Sequence, residues 1–273
     1  YLYSGINPVT LRGLSKNVLT GNPDLQPERT NAWEIGFKQL MKNSYILSVT
    51  YFKKVTSNQV DSKTLVPYDS KFAGDYGFAS YVNNAQANSQ GVEIVFTRDT
   101  DEQFNSSLSY TYMVAKGISE TADQSINYAQ WGFAVAPVEH PLSWDQRHTV
   151  KIDASAKLPL GIMANGTAII SSPRPYTHYP TRDGFTPVDP TKEFVPNNVR
   201  MKSTIFSNLK ISRVFTFEEY FKSKLTVYLD SRNFINYKNV KWFDSNGKIG
   251  GELGDPTAYY EPRRTRIGVL WEF

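Results

Sequence analysis

RTRIGVLWEF, residues 264–273, decides the fold. Its side chains alternate at a period of two residues, which is the period of a β-strand. One face of this strand is apolar and carries Ile267, Val269, Trp271 and Phe273, whereas the opposite face is mixed. A strand of a soluble sandwich can alternate in the same way, but it rarely places Trp and Phe together at the end of its apolar face.

A strand that crosses an outer membrane has all of these properties. Its lipid face must be apolar, and its aromatic residues lie at the boundary between membrane and water. Its backbone must also pair with neighbouring strands, because lipid offers no hydrogen-bond partners. The stretch therefore predicts an all-β fold, an antiparallel transmembrane β-barrel.

The same ten residues carry a second pattern. The spacing of Arg266, Gly268, Trp271 and Phe273 resembles the carboxyl-terminal signal by which bacterial barrels are recognised for outer-membrane assembly. This resemblance implies that the four residues contact the barrel assembly machinery.

The composition is rich in rings yet polar on average. The chain has 273 residues, 14% of them aromatic, and its mean hydropathy is −0.43. Membrane barrels combine these properties because every second residue faces a wet interior. No run of about 18 apolar residues occurs, which excludes a transmembrane helix. The lack of Cys excludes disulfides and thiolate metal sites, and the dispersed basic residues, with a net charge of +4, predict no nucleic-acid partner.

Alternation recurs along the chain and predicts about nine strands. The clearest of them alternates Leu108 and Tyr110 with Ser107 and Ser109. Short turns and long connections follow one another strictly, as in outer-membrane barrels with short periplasmic turns and long external loops. We expect the long connections at residues 62–83, 116–143, 173–200 and 238–262.

The odd strand number predicts that the sequence is part of a larger barrel. Bacterial single-chain barrels have an even number of strands, and an exposed strand edge would leave backbone groups unpaired in lipid. No signal peptide heads the sequence. We therefore expect the last portion of a longer polypeptide, which does not assemble alone.

The sequence GNPDLQPERT, residues 21–30, followed by NAWEIGF, residues 31–37, carries the most specific pattern. It resembles the NPxLxPE approach to a barrel strand in TonB-dependent outer-membrane transporters. SWDQRHTV, residues 143–150, and GDP, residues 254–256, resemble stretches in Bacteroidetes members of this family. These barrels have 22 strands and a plugged lumen. The resemblance implies an external loop and strand approach at residues 1–29 and a carboxyl-terminal barrel portion at residues 30–273, without the plug domain or the TonB box.

The family resemblance also implies a function and a location. The protein would lie in the bacterial outer membrane, surrounded by its lipid, and take up a scarce nutrient when TonB acts on the plug domain. The cargo would be a siderophore, cobalamin, a glycan or a peptide, and no cofactor is expected. Two alternatives are an outer-membrane barrel hydrolase and a soluble all-β binding domain.

Rings in the long connections are the candidate ligand contacts, because external loops meet a ligand first. They are Tyr128 and Trp131 in one connection, Tyr176, His178 and Tyr179 in the next, and Trp242 in the last. The competing interpretation is that these rings belong to an aromatic girdle or pack the loops together.

Catalytic and metal-binding residues are not expected. Ser207 and Lys210 have an acyl-transferase spacing, but three positions along a strand put them on opposite faces. His140, His148 and His178 lie in separate segments. Residues 244–250, DSNGKIG, begin like a calcium loop but lack its distal Glu, so a tight turn is the favoured interpretation.

Overall fold

The computed structural model describes residues 19–42, 44–65, 78–98, 103–181, 187–189, 191–217 and 223–273. Nine long strands dominate these residues, which confirms the predicted all-β fold. They are β1 (Arg29–Met41), β2 (Tyr45–Leu65), β3 (Phe78–Arg98), β4 (Phe104–Gly117), β5 (His148–Leu158), β6 (Ile162–Ser171), β7 (Thr204–Phe217), β8 (Ser223–Arg232) and β9 (Arg264–Glu272).

The nine strands form one antiparallel sheet in chain order, each pairing with the next. Short connections join β1 to β2, β3 to β4, β5 to β6 and β7 to β8 at one end, the turn end. The long connections leave from the opposite end, the loop end, as predicted. In the described residues, β1 and β9 each pair with a single strand, so they are the two open edges of the sheet.

One face of the sheet, the outer face, is continuously apolar. Directly paired residues on neighbouring strands project to the same face. One such row crosses seven strands and consists of Phe37, Val49, Ile94, Tyr110, Val150, Ile170 and Ile205. Side chains on this face are exposed despite their size: Trp33 and Ile35 show 73% and 72% of their surface. An apolar face of this extent needs lipid or protein against it.

The inner face is polar. Ser155 donates a hydrogen bond to Asn165 at 2.8 Å, and Asn208 donates to Thr167 at 3.2 Å. Arg266 pairs with Asp230 at 2.7 Å between β8 and β9. An apolar outer face and a polar inner face are the arrangement of an outer-membrane barrel wall.

Aromatic rings border the apolar face at both ends. Trp33, Tyr51 and Tyr112 lie towards the loop end, and Tyr45 and Phe104 lie at the turn end. The rows of Trp33 and Tyr45 are about 26 Å apart along β2 at about 3.3 Å per residue. This spacing is comparable to the apolar band of outer-membrane barrels, about 25 Å tall.

Buried apolar residues are few among the described residues, and those present lie at the loop end. They are Ala79, Ala85, Ala115, Ile126, Leu142, Phe194, Val240 and Ala258. A soluble sandwich would bury its apolar side chains between two sheets. Here the large apolar side chains of the sheet point outwards, so the packed core belongs to the loops.

The prediction of a first long connection over residues 62–83 is wrong in its bounds, because the connection is shorter. β2 continues to Leu65, and β3 begins at Phe78, so only residues 66–77 lie outside the described residues. The two strands stay paired beyond register shifts between Thr56 and Gln59 and between Gln59 and Asp61. Apolar alternation ends there because this part of the hairpin leaves the apolar band, although backbone pairing continues.

The second connection contains a helix that the sequence pattern did not predict. This helix, α1, spans Gln124–Gln130 and is only seven residues long. A short strand, His140–Pro141, follows it and pairs with the end of β4. No helix of the described chain is long and apolar enough to cross a membrane.

The motif before β1 holds its segment against the β2–β3 hairpin. Asn22 donates to the Tyr81 carbonyl at 2.9 Å, and the backbone N–H of Gln26 donates to the Asn83 side chain at 2.7 Å. Glu28 accepts a hydrogen bond from the Val60 N–H at 2.9 Å. The polar residues of the motif therefore fix the direction in which the chain enters β1; residues 1–18 lie outside the described residues.

Candidate functional site

Three connections meet at the loop end around a cavity of about 450 Å³. Its volume lies within the range of about 300 to 1,000 Å³ that small-molecule sites occupy. Residues from the connection after β4, the connection after β6 and the connection after β8 line it. They are Glu120, Thr121, Gln124, Asn127, Tyr128, Trp131, Phe133, Tyr179, Thr181 and Ser245.

Helix α1 supplies one wall of the cavity. Gln124, Asn127, Tyr128 and Trp131 follow the i, i+3, i+4, i+7 spacing that places side chains on one helix face. This face carries two amides, a phenol and an indole. Trp131 keeps 63% of its surface exposed and so remains open to a ligand.

A buried carboxylate holds the start of α1 on β2. Asp61 is 1% exposed and accepts hydrogen bonds from the Ser125 hydroxyl at 2.5 Å and the Ser125 N–H at 3.2 Å. Beside it, Ser62 accepts a bond from the Ile126 N–H at 3.0 Å. The first N–H groups of a helix lack partners within it, so these two residues satisfy them. The helix is thereby fixed to the barrel wall.

Four rings pack together, and three of them line the cavity. The ring centroid of Phe194 lies 5.5 Å from that of Tyr128 and 5.4 Å from that of Phe133, and Phe133 lies 5.1 Å from Tyr179. These distances are those of favourable aromatic pairs. Burial in this cluster raises the pKa of Tyr128 to about 12. The cluster joins the connection after β4 to the connection after β6.

Glu120 is the one charged side chain among the described residues that line the cavity. Its Oε1 accepts a bond from the Asn197 amide at 2.6 Å and another from the Ser143 N–H. Asn197 also donates to the Pro141 carbonyl at 2.8 Å. The negative charge therefore already has protein donors, and it ties the two connections together.

A second buried carboxylate, Asp145, anchors the connections after β4 and after β6. Asp145 is fully buried and pairs with Arg147 at 2.9 Å and with Arg200. It also accepts a bond from the Ala115 N–H at 2.7 Å, while Arg200 donates to the Pro173 carbonyl at 2.9 Å. The SWDQRH stretch thus ties the connections after β4 and after β6 to the end of β4.

The structure brings three of the six predicted ligand-contact rings together. Tyr128, Trp131 and Tyr179 line the cavity. Tyr176 instead stacks on Phe243 with centroids 5.0 Å apart. The loop-packing interpretation fits this pair.

The other two predicted ligand contacts also lie outside the cavity lining. Gly247 approaches both Tyr176 and His178 so closely that a Cβ there would lie 2.9 Å from the Tyr176 hydroxyl. Trp242 likewise does not line the cavity. Contact of Tyr176, His178 and Trp242 with a ligand stays a prediction.

Sequence reasoning missed most of the polar lining. The missed residues are Glu120, Thr121, Gln124, Asn127, Thr181 and Ser245. The helical spacing from Gln124 to Trp131 was a usable signal. The remaining residues come together only through the folding of separate connections.

The segment from Asp244 to Gly250 forms a turn. Asp244 Oδ1 accepts hydrogen bonds from the N–H groups of Asn246 at 3.0 Å and Lys248 at 2.7 Å. The carboxylate that began the calcium-like pattern is thus occupied by the backbone, as in an Asx-turn. No group of three or more His, Asp or Glu side chains suited to a metal ion occurs in the described part of the chain.

The residues considered for catalysis have structural contacts. Ser207 pairs with Ala168 on the outer face, whereas Lys210 pairs with Asp230 on the inner face, so their side chains diverge. His148 lies beside Tyr110, whose hydroxyl is 2.9 Å from its Nδ1.

The residues of the predicted assembly signal all lie on or beside β9. Ile267, Val269 and Trp271 pair with outer-face residues of β8. The ring of Trp271 stacks on Phe273 at 5.6 Å, and both remain exposed. Arg266 and Gly268 face the interior, where each meets a residue of β8. The four residues of the predicted signal therefore divide between an exposed aromatic pair and two inward positions, and their role in assembly stays a prediction.

An open antiparallel sheet with an apolar outer face, a polar inner face, aromatic borders and elaborate loops at one end defines the wall of an outer-membrane β-barrel. A comparison with protein families agrees. The family described as "TonB dependent receptor-like, beta-barrel" matches residues 2–189, and the chain belongs to this family of bacterial outer-membrane proteins. No match is found among curated proteins.

Solved structures share the fold. The outer-membrane transporter YddB from Escherichia coli is 14% identical with a TM-score of 0.65, and the match covers 94% of this chain and 34% of that one. A mutant of the ferric enterobactin receptor PfeA from Pseudomonas aeruginosa is 19% identical with a TM-score of 0.59, over 93% and 32% of the two chains. Pseudomonas aeruginosa FpvA bound to heterologous pyoverdines is 13% identical with a TM-score of 0.57, over 91% and 28%. The chain therefore spans about a third of the length of these structures.

Proposed function

We propose that the protein is an outer-membrane TonB-dependent transporter or receptor that takes up a scarce nutrient. The cargo would be a siderophore, cobalamin, a glycan or a peptide. The observation that carries this proposal is the cavity at the loop end, on a barrel wall of the TonB-dependent receptor family. Three connections build it, and anchored carboxylates hold it in place. A preformed external cavity can capture a ligand before transport.

We also propose which parts of the whole transporter this chain supplies. Residues 1–29 would form an external loop and the approach to the barrel, and residues 30–273 would supply the carboxyl-terminal part of a 22-stranded barrel. The open edges at β1 and β9 support this, because strand edges in lipid require partners. A plug domain would fill the lumen, and TonB would act on it.

We also infer that the protein acts without catalysis. His148 meets Tyr110, and His140 Nδ1 lies 3.2 Å from the Val138 carbonyl. Neither pair contains the Ser, Thr or Cys nucleophile of the common hydrolases. This supports a receptor over the alternative of an outer-membrane hydrolase.

The experiment is uptake by cells that carry the full-length protein. Cells lacking the gene, complemented with wild type or with Trp131→Ala, receive labelled ferric siderophore, cobalamin, oligosaccharide or peptide in separate assays. We expect one cargo to depend on the protein, and Trp131→Ala to lower its uptake at least several-fold with equal barrel in the outer membrane. Trp144→Ala is the matched control, since this exposed loop tryptophan lies outside the cavity lining.

Two results would overturn the proposal. One is that none of the four cargoes differs in uptake between the complemented and the deleted cells. The other is that Trp131→Ala and Trp144→Ala transport the cargo equally well, which would make the cavity irrelevant to capture.

A further inference from the structure

A polar pocket of about 230 Å³ lies on the outer face, just beyond the aromatic border at the loop end. It is formed by β2, by β3 and by the residue that precedes the short strand His140–Pro141. Its described lining shares no residue with that of the loop-end cavity, so the two are separate sites. The lining residues are Lys53, Val55, Gln86, Ala87, Asn88, Gln90 and Glu139.

The position of Lys53 gives the height of the pocket in the membrane. Lys53 lies two residues beyond the border ring of Tyr51, which is about 7 Å along β2. It pairs directly with Trp33 on β1 and with Gln90 on β3, so it shares the outer face with them. The long loops of outer-membrane barrels are external, so this end of the apolar band meets the outer leaflet. The pocket therefore lies at the level of the lipid head groups.

Two further basic residues flank the pocket on the same face. Lys116 on β4 pairs directly with Asn88, and Arg29 on β1 pairs with Ser57. Lys53, Lys116 and Arg29 are all exposed. Long basic side chains can lay their stems along an apolar surface and extend their charge towards water. Basic pockets at this depth attract the phosphates of lipid head groups.

Two amides are held in place inside the pocket. Glu139 Oε1 accepts a hydrogen bond from the Gln86 amide at 3.0 Å and another from the Asn88 amide at 3.2 Å. Each amide group has two N–H donors and a carbonyl oxygen, so both side chains keep hydrogen-bonding capacity for a ligand. Glu139 thus orients the amides, and these amides, together with Lys53, offset its own charge.

Phosphates combined with sugar hydroxyls are the head-group chemistry of the glycolipids in the outer leaflet of bacterial outer membranes. We propose that the pocket binds one such phosphorylated glycolipid, with Lys53 and Lys116 on its phosphates and the Gln86 and Asn88 amides on its sugar hydroxyls. The exposed Trp33 indole borders the site where the acyl chains begin. This lipid site lies apart from nutrient capture, and its occupation stabilises the folded barrel.

The test uses the full-length protein, purified in detergent and freed of lipid, with native mass spectrometry and the thermal midpoint as readouts. The probes are phosphorylated lipid A, the same lipid after enzymatic dephosphorylation, phosphatidylglycerol and inorganic phosphate. We expect phosphorylated lipid A to bind most tightly and to raise the midpoint. Removal of its phosphates should weaken binding at least about tenfold, because the lysines lose their partners. Inorganic phosphate should not displace the lipid.

Exchange of the two lysines tests the phosphate contacts. Lys53→Gln combined with Lys116→Gln should weaken binding of phosphorylated lipid A at least about tenfold, since each basic residue near an anionic lipid surface contributes about fivefold. Lys53→Arg combined with Lys116→Arg keeps both charges and should retain binding. Lys54→Gln is the matched control, because Lys54 is an exposed lysine at the next position of β2 that pairs with Ala32 on the inner face.

Exchange of Glu139 and Asn88 tests the rest of the pocket. Glu139→Gln keeps an oxygen for the two amides and removes the negative charge, so affinity for the phosphorylated lipid should be equal or higher. A loss of affinity would show that the pocket prefers a cation. Asn88→Ala removes one sugar contact and should reduce the preference for lipid A over phosphatidylglycerol.

Three results would overturn the glycolipid site. The first is equal binding of phosphorylated lipid A by wild type and by the double Gln variant. The second is equal binding of lipid A with and without its phosphates, or of lipid A and phosphatidylglycerol, which would make the contact a non-specific one with bulk lipid. The third is displacement of the lipid by inorganic phosphate, which would make the pocket a site for free anions. None of these results bears on nutrient uptake.

Discussion

The ring of Tyr228 occupies the space above Gly268 on the neighbouring strand. The two residues are paired directly between β8 and β9, and a Cβ added to Gly268 would lie 2.3 Å from both Cζ and the hydroxyl oxygen of Tyr228. The Lys210 ammonium lies 5.2 Å from the centre of the same ring, which is cation–π distance. Gly268 is therefore required by a close approach.

Gly268→Ala should destabilise the barrel by about 1 to 3 kcal/mol, because the added methyl group must displace the Tyr228 ring. The measurement is the fraction of protein that stays folded during electrophoresis without heating, together with its thermal midpoint. Gly166→Ala is the control, since its Cβ would meet only the Asn208 carbonyl oxygen at 4.0 Å. Adding Tyr228→Ala to Gly268→Ala should restore part of the loss; equal behaviour of the two glycine variants would contradict this packing.

Replacement of both Trp271 and Phe273 by Ser should lower the amount of barrel inserted in the outer membrane. The two rings stack and stay exposed on the lipid side of β9, so they are available to an assembly factor as well as to lipid. Quantification in outer-membrane fractions checks this. Leu253→Ser, a change at a fully accessible loop residue, is the control. Unchanged insertion of the double variant would refute the proposed signal.

Asp145→Ala should cost about 3 to 5 kcal/mol of stability, because it leaves the Arg147 and Arg200 charges without their buried partner. We expect faster proteolysis of the loops and a lower thermal midpoint. The exposed pair between Lys248 and Glu252 provides the control: Glu252→Ala should leave both readouts unchanged. Equal protease resistance of Asp145→Ala and wild type would contradict the anchoring role.

The strands were predictable from the sequence because each crosses an apolar band on one side only. Alternation at Leu108 and Tyr110 follows directly from that environment, and the paired rows of the sheet confirm it. The prediction failed beyond the apolar band. There β2 continues through Asp61 and Ser62, which are polar and buried under α1, and it stays paired with β3. Local alternation carries no information about such a contact.

The site was predictable only in part. Aromatic residues in external connections indicated Tyr128, Trp131 and Tyr179, but their meeting depends on loop folding. Helix α1 is only seven residues long, and side chains of β2, distant in sequence, stabilise it. Tyr176 has the same residue type and the same kind of position as Tyr179, yet it stacks on Phe243.

Titration of Tyr128 should report the buried cluster. Burial raises its pKa to about 12, so the folded state holds the phenolic proton more tightly than the unfolded chain does. The contribution of Tyr128 to the free energy of unfolding is complete below the unfolded pKa near 10. It is lost as the pH rises from there through 12. The difference in tyrosinate absorbance between wild type and Tyr128→Phe should show a step near pH 12. A step near 10 would place this phenol in solvent.

The lipid exposure of the outer face is the central claim, and single cysteines test it most directly because the chain has none of its own. Leu108 belongs to the outer face, whereas Ser109 belongs to the inner face and contacts Glu93 at 3.4 Å. In intact outer membranes, Leu108→Cys and Tyr110→Cys should react with a membrane-dissolved maleimide. Ser107→Cys and Ser109→Cys should react only with polar reagents that enter the lumen. Shielding of positions 108 and 110 from the lipid probe, with position 109 open to bulk solvent, would make the apolar face a protein core and contradict the barrel.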